Sequence, residues 1–260
     1  MCVAAPVTLY LIRHGETEVN RHNCVQGRRI DPPLNARGRR QAECVGQRFR
    51  GEPVDWVVTS PARRAVETGA AIRSHHPAVP LSRRDALSEL AFGDLEGTHV
   101  TAGYMDLVER WDRDGQADLA APGSGGESPA ACARRAMDCL ANVVGAAAAE
   151  GQRHVCVVAH SRLIQIVLAA MLDGSLGTMG AYKQRKAAVN VVDARADPAR
   201  PWGLAAAARE INSTAHMPDH VVSVVSSTAP QSQEEASVCF DVDAAGEPVL
   251  QRLPPHCAPR

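Results

Sequence analysis

The stretch "LYLIRHGETEVN" (residues 9–20) decides how this chain is read. It opens as a continuous apolar run and ends abruptly in Arg13-His14-Gly15-Glu16-Thr17. A continuous run suits a strand covered on both faces, as in a parallel sheet, rather than the alternating pattern of a half-exposed strand. Three runs share this character: "VTLYLI" (7–12), "VDWVVTS" (54–60) and "HVCVVAH" (154–160). Helical patterns fall between them. After Asn35, a candidate N-cap, Ala42, Val45 and Phe49 recur at helical spacing. After Ser60, Pro61 fits the first position of a second helix, with Ala62, Ala65, Val66 and Gly69 on one face. From about Ser128, Met137, Leu140, Val143 and Val144 make the apolar stripe of a third. Residues 163–172 are apolar almost all round and predict a buried helix.

Strands alternating with helices predict an α/β fold, a three-layer α/β/α sandwich around a mostly parallel sheet with right-handed crossovers. Ligands in such sheets bind at the carboxyl ends of the strands. Here those ends are polar. The first run closes in Arg13-His14, the second in Thr59-Ser60-Pro61 and the third in His160-Ser161-Arg162. One site built from three strand ends is therefore expected.

Composition narrows the function classes. A chain of 260 residues makes one large domain or two small ones. Apolar residues are 45% but aromatics only 3%, so the core must be mostly Ala, Val, Leu and Ile. Twenty-eight basic residues nearly cancel 29 acidic ones, which leaves no general field for nucleic acid or an anionic membrane. No run reaches the length of a membrane span, and the N-terminus shows no basic segment followed by an apolar one. The eight cysteines form no C-x-x-C pair, so neither a zinc site nor a thioredoxin-like motif is expected. Buried, reduced thiols in a cytoplasmic protein fit them better.

Other segments read as connections. Residues 15–35 are too polar and too punctuated by Gly and Pro for regular structure, and "APGSGGES" (121–128) reads as a loop leading into a helix. "VVSVVSS" (221–227) reads as a strand, 228–237 as a linker and 238–253 as a hairpin. This divides the chain into a catalytic domain over 1–225 and a C-terminal extension over 226–260. The extension would cover a sheet edge, form a homodimer contact or stay partly disordered.

The strand ends carry a recognisable chemistry. A neutral imidazole is a good nucleophile toward phosphorus, and a flanking guanidinium binds phosphate oxygens in pairs. A phosphoryl group carries about 1.5 to 2 negative charges near neutral pH. Two or three fixed cations would stabilise its equatorial oxygens during transfer, with no metal or other cofactor required. An alkoxide leaves poorly, so such a site also needs an acid, for which a carboxyl group would serve.

"LIRHGET" with Asn20, then "QGRRIDPPLN", "SPARRAVET", "LSELAFGDLEG", "GGES" and "VVAHS", occur in the order seen in the histidine phosphatase superfamily, phosphoglycerate-mutase-like branch, which the chain resembles from about residue 7 to residue 165. The resemblance implies that His14 is the nucleophile that becomes phosphohistidine, and Arg13 its phosphate-binding neighbour. Asn20, Gln26 and Gly27 match the loop lining the phosphate pocket. In "SPARRAVET" the matching arginine precedes the alanine, which selects Arg64 over Arg63. Glu89, the first glutamate of "LSELAFGDLEG", matches the general acid and base, and Glu96 a second glutamate with a structural role. His160 matches the second histidine that clamps the phosphoryl oxygens. The chain departs from the family where glycine usually follows that histidine. Here Ser161 and Arg162 follow, bringing a hydroxyl donor and either a cation or a surface charge to the helix start.

The expected activity is a metal-independent phosphatase acting on a small phosphorylated metabolite. Two other readings stand beside it: a phosphoglycerate mutase, and a phosphoester-binding module without chemistry. The short span from Gly97 to Pro122 resembles the segment of the family's small phosphatases rather than a mutase lid. The complete set of Arg13, His14, Arg64, Glu89 and His160 argues against a pure binder, which has no need of an acid. Arg28, Arg29, Arg37, Arg39 and Arg40 form a basic cluster, read either as a solvated face or as a cationic rim. The segment 97–126 is where substrate specificity is expected to lie.

Overall fold

The computed structural model describes residues 5–222, 238–242 and 248–252. Its centre is a six-stranded sheet in the order β3-β2-β4-β1-β5-β6. The three apolar runs become neighbouring parallel strands: β1 (Val7–Arg13), β2 (Trp56–Thr59) and β4 (His154–Ala159). β1 lies inside the sheet, which is why its burial is nearly unbroken. A short β3 (Leu81–Arg83) extends the parallel part beyond β2. On the other side of β1, β5 (Val189–Ala196) and β6 (Leu204–Ser213) pair antiparallel. The mostly parallel sheet is thus observed, with an antiparallel edge that the sequence reading did not place.

Helices cover both faces. α2 (Ala36–Phe49) and α3 (Arg63–Arg73) pack on one, where Ile12 of β1 joins Val45, Phe49, Ala65 and Ile72 in one apolar cluster. α5 (Pro129–Ala149) and α6 (Ser161–Leu168) pack on the other with Leu9 and Leu11. The alternation of Leu9, Leu11 and Ile12 between two cores follows from the two-residue period of a strand.

Local chemistry sets the helix starts. The Asn35 side chain accepts from Gly38 N at 2.8 Å and begins α2 as expected. Ser128 caps α5 in the same way, with Pro129 at the first helical position. Pro61 does not start α3. Ala62 holds the cap position and the helix begins at Arg63, whose N–H is met by the Asp31 carboxylate at 2.9 Å. Residues 15–35 are mostly irregular but include a one-turn helix, α1 (Glu18–Arg21), capped by Thr17. The buried helix expected over 163–172 is α6 followed by a π-helical turn, Ala169–Asp173.

α4 (Ala102–Asp112) was not anticipated in the polar segment after Gly97. It forms because Thr101 caps it and because Leu107 and Trp111 bury one side. Of the strand expected over 221–227, Val221 and Val222 lie in a turn and the rest lies outside the described residues. β7 (Val238–Val242) and β8 (Pro248–Arg252) pair with each other as the expected hairpin.

Candidate functional site

Strand register brings the site together. In the β1–β4 ladder Arg13 pairs with Ala159, so His14 and His160 are the next residues on adjacent strands. His14 N also bonds Ala159 O at 3.0 Å. The two rings meet edge to face with centroids 5.2 Å apart. On the far side of β4, Ser60 follows the end of β2 and its Oγ lies 2.7 Å from His160 Nε2. All three strand ends converge, as the sequence predicted.

Both histidines are buried, His14 to 3% exposure and His160 completely. Burial pushes their pKa values well below the ordinary 6.5, and the cationic Arg64 and Arg13 push in the same direction. Both rings are therefore neutral at physiological pH. His14 Nδ1 lies 2.6 Å from the Gly15 carbonyl oxygen. A carbonyl can only accept, so Nδ1 carries the proton and Nε2 keeps its lone pair. Gly15 itself is required by a close approach to α2, since a Cβ there would stand 2.5 Å from Gly38 O.

Two guanidinium groups flank the rings. Arg13 Nη1 donates to Gln184 O at 2.6 Å, and desolvation brings the group down to about 10. Arg64 is 1% exposed and bonds Gly27 O at 2.9 Å, Ile30 O at 3.2 Å and the Asp31 carboxylate at 3.3 Å. The Nε of each is buried without a hydrogen-bond partner among the described residues. Such donors suit an incoming anion. Arg63, by contrast, is exposed, as the choice of Arg64 required.

A cavity of about 160 Å³ opens between these elements, lined by Gly27, Arg28, Ser60, Arg64, Glu89 and His160 among others. His14 joins the cluster through His160 rather than through the cavity wall. Glu89 reaches the start of α6. Its Oε1 accepts from Leu90 N and Leu163 N, both at 2.9 Å, and its Oε2 from Arg162 N at 3.2 Å. The N–H groups of Arg162 and Leu163 in the first turn of α6 are thus turned to Glu89.

The remaining expected binding residues are less directly placed. Asn20 Nδ2 donates to Gln26 Oε1 at 2.7 Å, and neither side chain lines the cavity, whereas Gly27 does. Ser161, half-buried at the start of α6, is also outside the lining. Gly27 has φ of +59° and its α-carbon faces the Glu96 carboxylate, which leaves no room for a Cβ. Glu96 accepts from the backbone N–H of Arg28, Arg29 and Phe92, a structural role that fixes this turn.

Arg162 is neither a cation free in the site nor a surface charge. It is 6% exposed, pairs with Asp112 at 2.7 Å and lies 5.7 Å from the Trp111 ring, tying α4 to α6. In the basic cluster, Arg37, Arg39 and Arg40 lie exposed on α2, a solvated face, whereas Arg28 is engaged in the site wall. Arg28 holds the Glu127 carboxylate at 3.0 Å and Glu89 O at 2.7 Å. Arg135 also binds Glu127, at 2.8 Å, and donates to Glu89 O at 3.1 Å. Sequence reasoning missed this clamp on the Glu89 backbone, although "GGES" contains its centre, Glu127. It also missed the Ser60–His160 bond.

A buried pair of imidazoles stands between two guanidinium groups at the carboxyl ends of parallel strands, an arrangement suited to an anionic phosphoryl group. The chain belongs to the histidine phosphatase superfamily, branch 1, whose family model matches residues 9–201. It is 32% identical to a metal-independent phosphoserine phosphatase of Arabidopsis thaliana, over 72% of this chain and 76% of that protein. It is 34% identical to a 2,3-bisphosphoglycerate-dependent phosphoglycerate mutase of Methylobacterium radiotolerans, over 64% of this chain and 79% of the mutase. The structure of YhfR from Bacillus stearothermophilus superposes with a TM-score of 0.67 at 25% identity, covering 81% of this chain and 98% of that one. Several other curated relatives are matched over only about half their length, between 44% and 51%.

Proposed function

We propose that this protein is a phosphomonoesterase that works through a phosphohistidine on His14, with a small phosphorylated metabolite as substrate. The observation that carries the reading is the His14 Nδ1–Gly15 O bond, which leaves the Nε2 lone pair free as a nucleophile in a cluster with Arg13, Arg64 and His160. In the first step Nε2 forms the N–P bond as the ester P–O bond breaks, and Glu89 donates a proton to the leaving alkoxide. Glu89 Oε2 accepts one hydrogen bond against two at Oε1, so Oε2 is the oxygen with room for that proton. In the second step water attacks phosphorus, Glu89 takes its proton, and the N–P bond breaks to release phosphate and the free imidazole. Arg13 and Arg64 balance the phosphoryl charge throughout. Phosphatase names among the relatives support this reading, and the metal-independent relative supports chemistry carried by side chains alone. Five described cysteines are free thiols, which supports a cytoplasmic setting. No helix among the described residues is long and apolar enough to cross a membrane.

Rapid quench with substrate labelled at phosphorus tests the mechanism. Label should appear on His14, and full activity of His14→Ala would overturn the assignment. The mutase relative keeps a second reading open to experiment. Rapid conversion of 3- to 2-phosphoglycerate with bisphosphoglycerate present would replace hydrolysis as the principal activity.

A further inference from the structure

Ser60 stands at the end of β2, fully buried, and no step of the proposed reaction uses it. Its Oγ makes two hydrogen bonds among the described residues. One is accepted from Ala62 N at 3.3 Å, and the other joins His160 Nε2 at 2.7 Å. The Ala62 bond occupies an acceptor site. A second lone pair remains on Oγ, so either tautomer of His160 fits the contact, but only the donating arrangement gives the hydroxyl proton a partner among the described residues, the Nε2 lone pair. In that arrangement Ser60 donates, and Nε2 carries no proton.

A neutral imidazole with a bare Nε2 is protonated at Nδ1. His160 Nδ1 is a buried atom with no partner among the described residues, on a ring that lines the cavity and touches His14. Resting on the phosphohistidine reading above, we propose that Ser60 is a positioning residue: it fixes His160 as the Nδ1–H tautomer, so that a neutral ring donates a hydrogen bond to the transferring phosphoryl group. The opposite tautomer would turn a lone pair toward the anion and repel it. Burial and the nearby arginines keep the ring neutral, which is the condition under which tautomer choice matters. A donor supplied this way adds no charge next to the nucleophile, whereas an imidazolium would draw on the His14 lone pair and weaken its attack on phosphorus.

Proton-detected nitrogen spectra of the imidazoles, on protein labelled with ¹⁵N-histidine, test this without reference to activity. The resting protein should show His160 protonated at Nδ1, and a proton on Nε2 would overturn the proposal. Ser60→Ala should mix the tautomers and lower kcat by roughly 10- to 100-fold on an alkyl phosphate, as for other partners that orient a histidine, while KM moves little. Ser60→Thr keeps the hydroxyl and should restore both the spectrum and the rate. Should Ser60→Ala fold poorly, the wild-type and Thr spectra still decide. An unchanged His160 spectrum in folded Ser60→Ala would sink the role assigned to Ser60. A wild-type protein that never forms phosphohistidine would instead remove the parent reading, and with it the catalytic half of this one.

Discussion

His14 and His160 stand side by side because Arg13 and Ala159 close the same parallel ladder. Their rings meet at 5.2 Å with both nitrogens' charges suppressed by burial and by Arg64 and Arg13. Placing two neutral imidazoles between two cations has a cost in stability that depends on pH. Each histidine's folded pKa lies below its unfolded value of 6.5, so the unfolded chain binds more protons as the pH falls below that value. Their contribution is complete above about pH 6.5 and lost progressively toward the depressed folded values. Thermal unfolding between pH 7.5 and 5 should therefore show a falling midpoint. His14→Asn and His160→Asn should each flatten the slope, and an unchanged slope in both would contradict the assigned protonation states.

The same depression sets the activity profile. The nucleophile is competent in its neutral form, which persists below pH 6.5. The acid limb of kcat/KM should therefore not fall at an ordinary histidine pKa. His14→Ala should lose on the order of a thousandfold or more in kcat, as removal of a nucleophile does elsewhere. A stopped assay on phenyl phosphate across pH 4.5–8 measures both effects, and a half-point at 6.5 would indicate a solvated, not a buried, nucleophile.

Arg64 and Arg63 are neighbours in sequence but not in environment. Successive helical residues point about 100° apart, and only Arg64 enters the cavity lining. Arg64→Ala should cost about 10²- to 10³-fold in kcat/KM, the range for losing one donor to a developing charge. Arg64→Lys should recover only part, because an ammonium keeps the charge but not the planar fork that binds Gly27 O and Ile30 O together. Arg63→Ala is the control and should leave kcat/KM within a small factor. The reverse ranking would move the phosphate clamp to Arg63.

Some of this site was legible in the sequence and some was not, for physical reasons. β1, β2 and β4 are buried on both faces, so their apolar runs announce themselves. Asn35 and Ser128 act within three residues of themselves, a distance at which sequence is a good guide. β6 failed because "LAAAAREINS" is rich in alanine, a helix former, and its strand state comes from pairing with β5. α4 hid because its buried residues, Leu107 and Trp111, are only two in eleven. The Ser60–His160 bond spans 100 residues, and the Glu127 clamp joins Arg28 to Arg135 across three separate segments. Neither leaves a local pattern.

Glu89 has two tasks, holding the start of α6 and supplying a proton, and these can be separated. Glu89→Gln keeps one acceptor oxygen for the α6 backbone but cannot transfer a proton. Its kcat should fall by about 10²- to 10⁴-fold on an alkyl phosphate, the usual range for general acid catalysis. The loss in kcat/KM, which reads the phosphorylation step, should be much smaller on p-nitrophenyl phosphate, whose leaving group departs without protonation. Burst kinetics on the activated ester check the second step, where the missing base should make phosphohistidine accumulate. Equal losses in kcat/KM on both substrates, with no accumulation of phosphohistidine, would assign Glu89 a purely structural task at the α6 terminus.

Arg162 and Asp112 pose the last question, because Ser161-Arg162 stands where the family usually has glycine and Arg162 is held there by Asp112. Arg162 is buried, and its charge is balanced by Asp112 and shared with the Trp111 ring. Deleting one partner leaves the other charge buried alone. Asp112→Ala should therefore destabilise the protein by about 3–5 kcal/mol, whereas Arg162→Met with Asp112→Leu should be close to neutral. Denaturant unfolding of Arg162→Met, Asp112→Leu and their double variant gives the coupling directly. The Arg162 backbone N–H also bonds Glu89, so a shift of α6 in Asp112→Ala should lower kcat as well as stability. The double variant should recover stability, and if it recovers kcat too, Arg162 serves to pack α4 against α6 and its charge has no part in the chemistry. A double variant that is stable yet slow would instead show that the guanidinium takes part in the reaction.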